Sequence, residues 1–167
     1  METTRGIILI HSAPAALCPH IEWALGAAMG TPLRLDWIDQ PAEPHSLRSE
    51  YSWAGRTGTG AAIASALTRC QRARFEVTEE PCGSAEGMRW SYTPRLGIHA
   101  ASIGIHGDVM VHEERLKQAI VTEALGGRTL VATLTELLGS EWDDELEAFR
   151  LSLIHISEPT RRTPISY

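Results

Sequence analysis

The chain has 167 residues, 43% of them hydrophobic, with 15 basic against 21 acidic residues and a net charge of −6. That length suits a single domain able to bury a real core. The acidic balance excludes general binding to nucleic acid or anionic membranes, which needs clustered Lys and Arg. No apolar run approaches the length of a membrane span.

The first predicted element is a buried strand over "RGIILIHS", a short apolar run rich in β-branched residues. A loop, "APAALC", leads to a helix over "PHIEWALGAAMG". Pro19 suits its first position and Gly30 the position just past its end. Ile21, Ala24, Leu25, Ala28 and Met29 fall on one helical face. "LRLDWI" alternates apolar and polar residues, the pattern of a half-buried strand. The Pro-rich loop "DQPAEPHS" follows, and then a further alternating strand, "LRSEYSW". "AGRTGTG" turns into a second helix, "AAIASALTRC", burying Ile63, Leu67 and Cys70. "RARFEVTEE" is a strand with Phe75 and Val77 inward.

The order so far is β-α-β-β-α-β, that of a ferredoxin-like unit. After the loop "PCGSAEG", "MRWSYT" and "LGIHAASIGIHGDVMV" add strands, the last two joined as a hairpin near His106, Gly107 and Asp108. "EERLKQAIVTEAL" is a helix stopped by Gly126 and Gly127. "RTLVATLTELLG" is another. Ser140 with Asp143 reads as an N-cap pair for "EWDDELEAFR". The expected fold is therefore α+β: a ferredoxin-like βαββαβ core in a mainly antiparallel sheet, helices on one face, an extra β-hairpin and C-terminal helices. Residues 1–150 make one domain.

"LSLIHISEPTRRTPISY", residues 151–167, breaks the helical pattern before it. "LSLIHI" has a strand-like run without a clean polar face. In codons the tail resembles a translated transposase-type sequencing adapter, the transposon end followed in frame by the adapter arm. Such segments are set aside from fold reasoning. The expectation is a non-native tail, poorly packed or irregular, standing where the native chain continued past Arg150.

Three cysteines, Cys18, Cys70 and Cys82, form no disulfide framework, so reduced thiols and a cytoplasmic location are expected. The first candidate site is "HSAPAALCPH". Cys18 at a helix N-terminus would feel the positive end of the dipole, and His11 or His20 could serve as its base. The plain alternative is a buried packing thiol beside a strand-end and an exposed histidine. The second is "GRTGTGAA", where amides near Gly58 and Gly60, with Arg56, could hold a small anion. It lacks the Lys and Ser/Thr of a phosphate-binding loop. The alternative there is a turn capped by Thr57 or Thr59.

Asp143, Asp144, Glu145 and Glu147 read as an acidic first turn rather than a metal site. His99, His106 and His112 lie in the hairpin region without metal-site spacing. Trp37, Tyr51, Trp53, Trp90 and Tyr92 read as core aromatics or a protein-contact surface. No metal and no cofactor are expected.

Several of these stretches, "HSAPAALCPHIEWALG", "WIDQPA", "GTGAAIASAL", "FEVTEEP" and "WDDELEAFR", resemble in order an actinobacterial family called domain of unknown function 3145. The resemblance covers residues 5–150 and has no counterpart to the tail. It implies a small bacterial cytosolic protein and carries no catalytic residue across. The leading expectation is a non-enzymatic binding or protein-interaction domain. Its partner would be a protein or a small anionic ligand, with no nucleic acid and no membrane. The alternative is a thiol-dependent enzyme using Cys18 with His11 or His20. Self-association through an exposed sheet edge is a third possibility.

Overall fold

The computed structural model describes residues 2–157. In chain order the elements are β1 (Thr3–Pro14), a 3-10 turn (Ala15–Leu17), α1 (Cys18–Met29), β2 (Ile38–Asp39), β3 (Ser46–Arg56), α2 (Thr59–Thr68), β4 (Arg74–Glu79), β5 (Gly87–Thr93), β6 (Gly97–Ile103), α3 (Glu113–Ala124), α4 (Leu130–Leu137) and α5 (Ser140–Ser157). One six-stranded sheet runs in the order β2-β3-β1-β4-β5-β6. Every pairing in it is antiparallel.

The apolar run of β1 lies between β3 and β4, and its Ile8 and Ile10 are each 1% exposed. Phe75, Val77 and Tyr92 share that face, with the rings of Phe75 and Tyr92 stacked at 5.2 Å. The buried residues of α1 (Cys18, Ile21, Leu25) and of α2 (Ile63, Ala64, Leu67) complete this core. Gly30 ends α1 in the left-handed conformation, φ 77°, as its sequence position implies.

Glycine is also required at position 6. Gly6 pairs with Trp53 across β1 and β3, and the Trp53 indole crosses it to donate to the Thr78 carbonyl at 3.2 Å.

Helices occupy both faces, against the expectation of one. Along β4, Phe75, Val77 and Glu79 point toward α1 and α2, whereas Arg74 and Glu76 point the other way. There α5 lies across the sheet: Arg150 binds Glu76, the Arg74 guanidinium sits 4.6 Å from the centre of the Phe149 ring, and Leu146 is fully buried. The "outward" residues of a strand are buried when a second layer covers them. Helices α3 and α4 form an antiparallel pair beside α5, and Ala119 is the buried residue of α3.

Four local expectations are corrected. "LRLDWI" forms no full strand, for only Ile38 and Asp39 pair with β3. The segment docks instead on α1 through Glu22, whose Oε2 accepts from the Leu35 amide at 2.7 Å and the Trp37 indole at 3.3 Å. The hairpin turn lies at residues 94–96, between β5 and β6. The turn at residues 104–108 returns only one bridge, Ile103 with Val109. "LSLIHI" is helix rather than strand, because α5 continues to Ser157, and extending an existing helix adds a hydrogen bond per residue without a new nucleus. Residues 158–167 lie outside the described residues. Ser140 is already inside α5, and Asp143 accepts from Arg150 at 3.1 Å.

A Cβ at Gly6 would stand 1.8 Å from the Thr78 carbonyl oxygen and 2.8 Å from Trp53 Nε1. Gly6→Ala is expected to destabilise the protein by about 3 kcal/mol, the upper end of overpacking costs. Urea unfolding checks this, and an unchanged midpoint would contradict it.

Candidate functional site

The strand-turn-helix segment at the start of the chain separates the three residues of the first candidate site. Cys18 is 5% exposed, and its thiol donates to the Pro14 carbonyl at 3.6 Å. Burial, then the charges of Glu22 and Cys70, push this thiol up to about 11. The helix N-terminus therefore does not dominate, and the thiol form prevails at neutral pH. His20 is exposed, with its ring stacked at 6.0 Å from Trp23. His11 is buried, with Nε2 2.8 Å from Glu76 Oε1. Among the described residues no hydrogen bond joins Cys18 to either histidine.

At the glycine turn the amides are already occupied. Gly58 N and Gly60 N donate to the Glu79 carboxylate at 2.9 and 2.7 Å. Glu79 is 4% exposed and reaches α2 from β4 across the sheet. It supplies the cap that Thr57 or Thr59 was expected to give, since no N-cap side chain bonds this helix end. Arg56 is exposed at the end of β3. Of the residues expected to hold a small anion, Gly58 and Gly60 thus have their amides taken by the protein's own carboxylate, and Arg56 lies outside that contact.

The strongest polar cluster was not anticipated. Glu76 is 6% exposed, and its Oε1 receives His11 Nε2 and, at 3.0 Å, Arg150 Nε. Its Oε2 receives Arg150 Nη2 at 2.7 Å. Burial alone would raise this carboxyl, but the bonds and charges of His11 and Arg150 outweigh it and hold the value at about 2. An ionised Glu76 only accepts, so His11 Nε2 carries the hydrogen. The Gln40 side chain fixes the same segment by donating to the His11 carbonyl at 2.7 Å. No sequence signal pointed here, because Arg150 and Glu76 lie 74 residues apart.

Beyond β5 the sheet ends at β6, and a groove of about 560 Å³ runs along that edge. Its walls are β6, residues 109–112, and the α4–α5 side with Leu137 and Trp142. Trp142 donates to the Gly97 carbonyl at 2.8 Å and stacks at 4.8 Å on His99, fixing that wall of the groove. His99 Nε2 is buried without a partner, and burial holds its pKa below the ordinary value. His112 and Arg115 line the rim. Met110 N donates to Ser102 O, and Gly104 N to Asp108 O. The outer backbone groups of β6 are therefore those of even-numbered residues, so Ile98 and Ala100 present theirs to the groove.

His99 and His112 both line this groove, and His112 pairs with Glu86 at 3.4 Å. Among the described residues no group of three His, Cys, Asp or Glu is arranged to hold a metal ion. Of the acidic turn, Asp143 binds Arg150 and Glu145 binds Arg95. No described helix is long and apolar enough to cross a membrane. Trp53 and Tyr92 are core residues, with Trp37, Tyr51 and Trp90 packed against the core.

Sheet, helices and groove define an α+β protein with a ligand-sized groove along an open sheet edge. A family model described as a protein of unknown function, DUF3145, matches residues 7–156, and the chain belongs to that family. No curated protein and no solved structure matches it.

Two outcomes follow from the titrating groups. The depressed value of Glu76 gives stability that is present above its unfolded value near 4.5 and is lost as pH falls toward about 2. Acid unfolding of the wild type should show a loss on the order of 3 kcal/mol across that window. Glu76→Gln should lack this component, and parallel profiles for the two proteins would contradict it. Cys18 should react with iodoacetamide more slowly than free cysteine at neutral pH. Mass mapping of the modified site reads this, and faster labelling would revive the thiol-enzyme reading.

Proposed function

We propose that this protein is a non-enzymatic protein-interaction domain that accepts an extended segment of a partner along the β6 edge. The observation that carries the reading is the groove of about 560 Å³ beside strand groups that point outward unpaired. Volumes of roughly 300–1,000 Å³ are typical of ligand sites. An exposed edge recognises a peptide through its main chain, with flanking pockets reading alternate side chains. The chain already imitates this at one end, where Met110 adds to Ser102. The wall is mainly apolar, with Met88, Ile98, Val109, Met110, Leu137 and Trp142, so the bound segment carries apolar side chains.

A small anion at the glycine turn is a weaker reading, since it would have to displace Glu79. The thiol-enzyme alternative lacks support, given the raised Cys18 and a thiol that donates to the Pro14 carbonyl rather than to a histidine. The strand order β2-β3-β1-β4, with α1 after β1 and α2 after β3, supports reading the first four strands as a ferredoxin-like unit extended by β5 and β6. We place the protein in the cytoplasm of an actinobacterium, on the family resemblance and the three unpaired thiols.

A library of extended decapeptides displayed on phage tests the groove. Wild-type protein should enrich apolar segments, and Ala100→Pro should lose them at least about tenfold while its circular dichroism is unchanged. The substitution removes an outward N–H and spares the bonds to β5. Equal enrichment by both proteins would sink the reading. Concentration-dependent dimerisation abolished by the same variant would replace the partner with a second copy of this chain.

A further inference from the structure

The sheet has a second open edge, on the side away from β6. β2 pairs with β3 only at Leu47 and Arg48, and no described strand flanks β3 beyond them. Residues 33–37 would have continued β2 along this edge, but Glu22 holds the Leu35 amide and the Trp37 indole at α1 instead. Residues 50–56 are left with β1 on one side and no strand on the other. Two bonds show which way their backbone groups point. Gln40 N donates to Ser46 O on the β2 side, and Thr57 N donates to Glu2 O on the β1 side. Even-numbered residues of β3 therefore turn N–H and C=O outward. In the open stretch these are Glu50, Ser52, Ala54 and Arg56, all exposed. Among the described residues neither Glu50 nor Arg56 makes an ion pair.

This stretch matches an antiparallel copy of itself in one register. Shifts by one residue set outward groups against inward ones and are excluded. Pairing about Ser52 would lay Arg56 of the second copy on Arg48, which β2 already occupies. Pairing about Ala54 would leave Glu50 opposite Gly58, in the turn to α2. Pairing about Trp53 uses the whole stretch. It places Glu50 opposite Arg56, Tyr51 opposite Gly55 and Ser52 opposite Ala54, and the two-fold axis repeats each match. Opposite charges meet at both ends, a ring faces a residue without a side chain, and two small residues meet between them. On the axis itself, each Trp53 indole leans away from the edge, across Gly6 to the Thr78 carbonyl.

We propose that the open edge of β3 is a self-association surface, on which two copies of this chain pair antiparallel through residues 50–56 about a two-fold axis at Trp53. Their sheets join into one, and each copy keeps its β6 groove at the far edge. The backbone bonds hold the pair together. Glu50 and Arg56 of opposite copies select the register, since exposed ion pairs add little affinity by themselves. The contact is isologous, so it closes at two copies and leaves no β3 edge to template further growth.

Sedimentation velocity on the full chain tests this. The wild type should pass from monomer to dimer across the micromolar range. Glu50→Arg and Arg56→Glu should each weaken the dimer about tenfold or more, because each sets like charges opposite one another at both ends of the paired stretch. An equimolar mixture of the two variants should associate to within about threefold of the wild type, since opposite charges then meet again at both ends. That recovery also shows that both variants are folded. Ala100→Pro, at the β6 edge, should leave the dimer intact, so this surface and the peptide groove stand or fall separately. A wild type that stays monomeric at its solubility limit, single variants that dimerise as the wild type does, or a mixture that does not recover would each overturn the surface. Loss of the dimer in Ala100→Pro would move the contact to β6 and overturn it equally.

Discussion

The buried carboxylate of Glu76 is the contact on which the second half of the molecule depends. It sits on the sheet face away from α1 and α2 and ties β4 to His11 of β1 and to Arg150 of α5. A single partner would leave part of a buried charge unbalanced; His11 and Arg150 together occupy both oxygens. Fixing Arg150 fixes the track of α5 over the sheet. That track sets Trp142 against Gly97 and His99, and Trp142 forms part of the wall of the β6 groove. The groove is thus shaped from a distance, by a polar contact it does not include.

The same strand performs a second task with its other face. Three residues on from Glu76, the alternation of β4 turns Glu79 toward α2, where it closes the amides of Gly58 and Gly60. One strand of six residues therefore holds helices on both sides through carboxylates, with Phe75 and Val77 packed between them in the apolar core. Gly60 allows the approach, because a Cβ there would stand 2.8 Å from Glu79 Oε1 and the same distance from Trp90. Only a residue without a side chain lets backbone and carboxylate meet at that spacing.

Much of the first half of the fold was legible in local sequence. The run "GIILI", the Pro19 and Gly30 boundaries of α1, and the apolar spacing of α2 each depend on near neighbours, and each formed close to its expected place. The misses share a non-local cause. "LRLDWI" has a strand pattern, but Glu22, thirteen residues before Leu35, satisfies the Leu35 amide and diverts the segment from the sheet. Glu76 of "FEVTEEP" looks solvent-facing until a helix from the end of the chain covers it. The glycine turn offers amides in its local sequence, yet nothing within it names Glu79 as their acceptor. Cys18 shows the same limit from the other side: its helix position was legible, but not the burial that outweighs the dipole.

The position of β1 also bears on how the chain is made. Of the six described strands β1 is made before the rest, yet it is an inner strand of the sheet, and its partners are residues 46–56 and 74–79. Until the second partner has emerged, an apolar strand has an unpaired edge. Hydrogen bonds from β3 can close only one side of it. Such edges template wrong pairings in nascent chains. The polar residues alternating on β3 and the early, locally encoded α1 limit that hazard, since α1 can cover the apolar face before the sheet is complete. The order of elements along this chain is thus also an order of protection during synthesis.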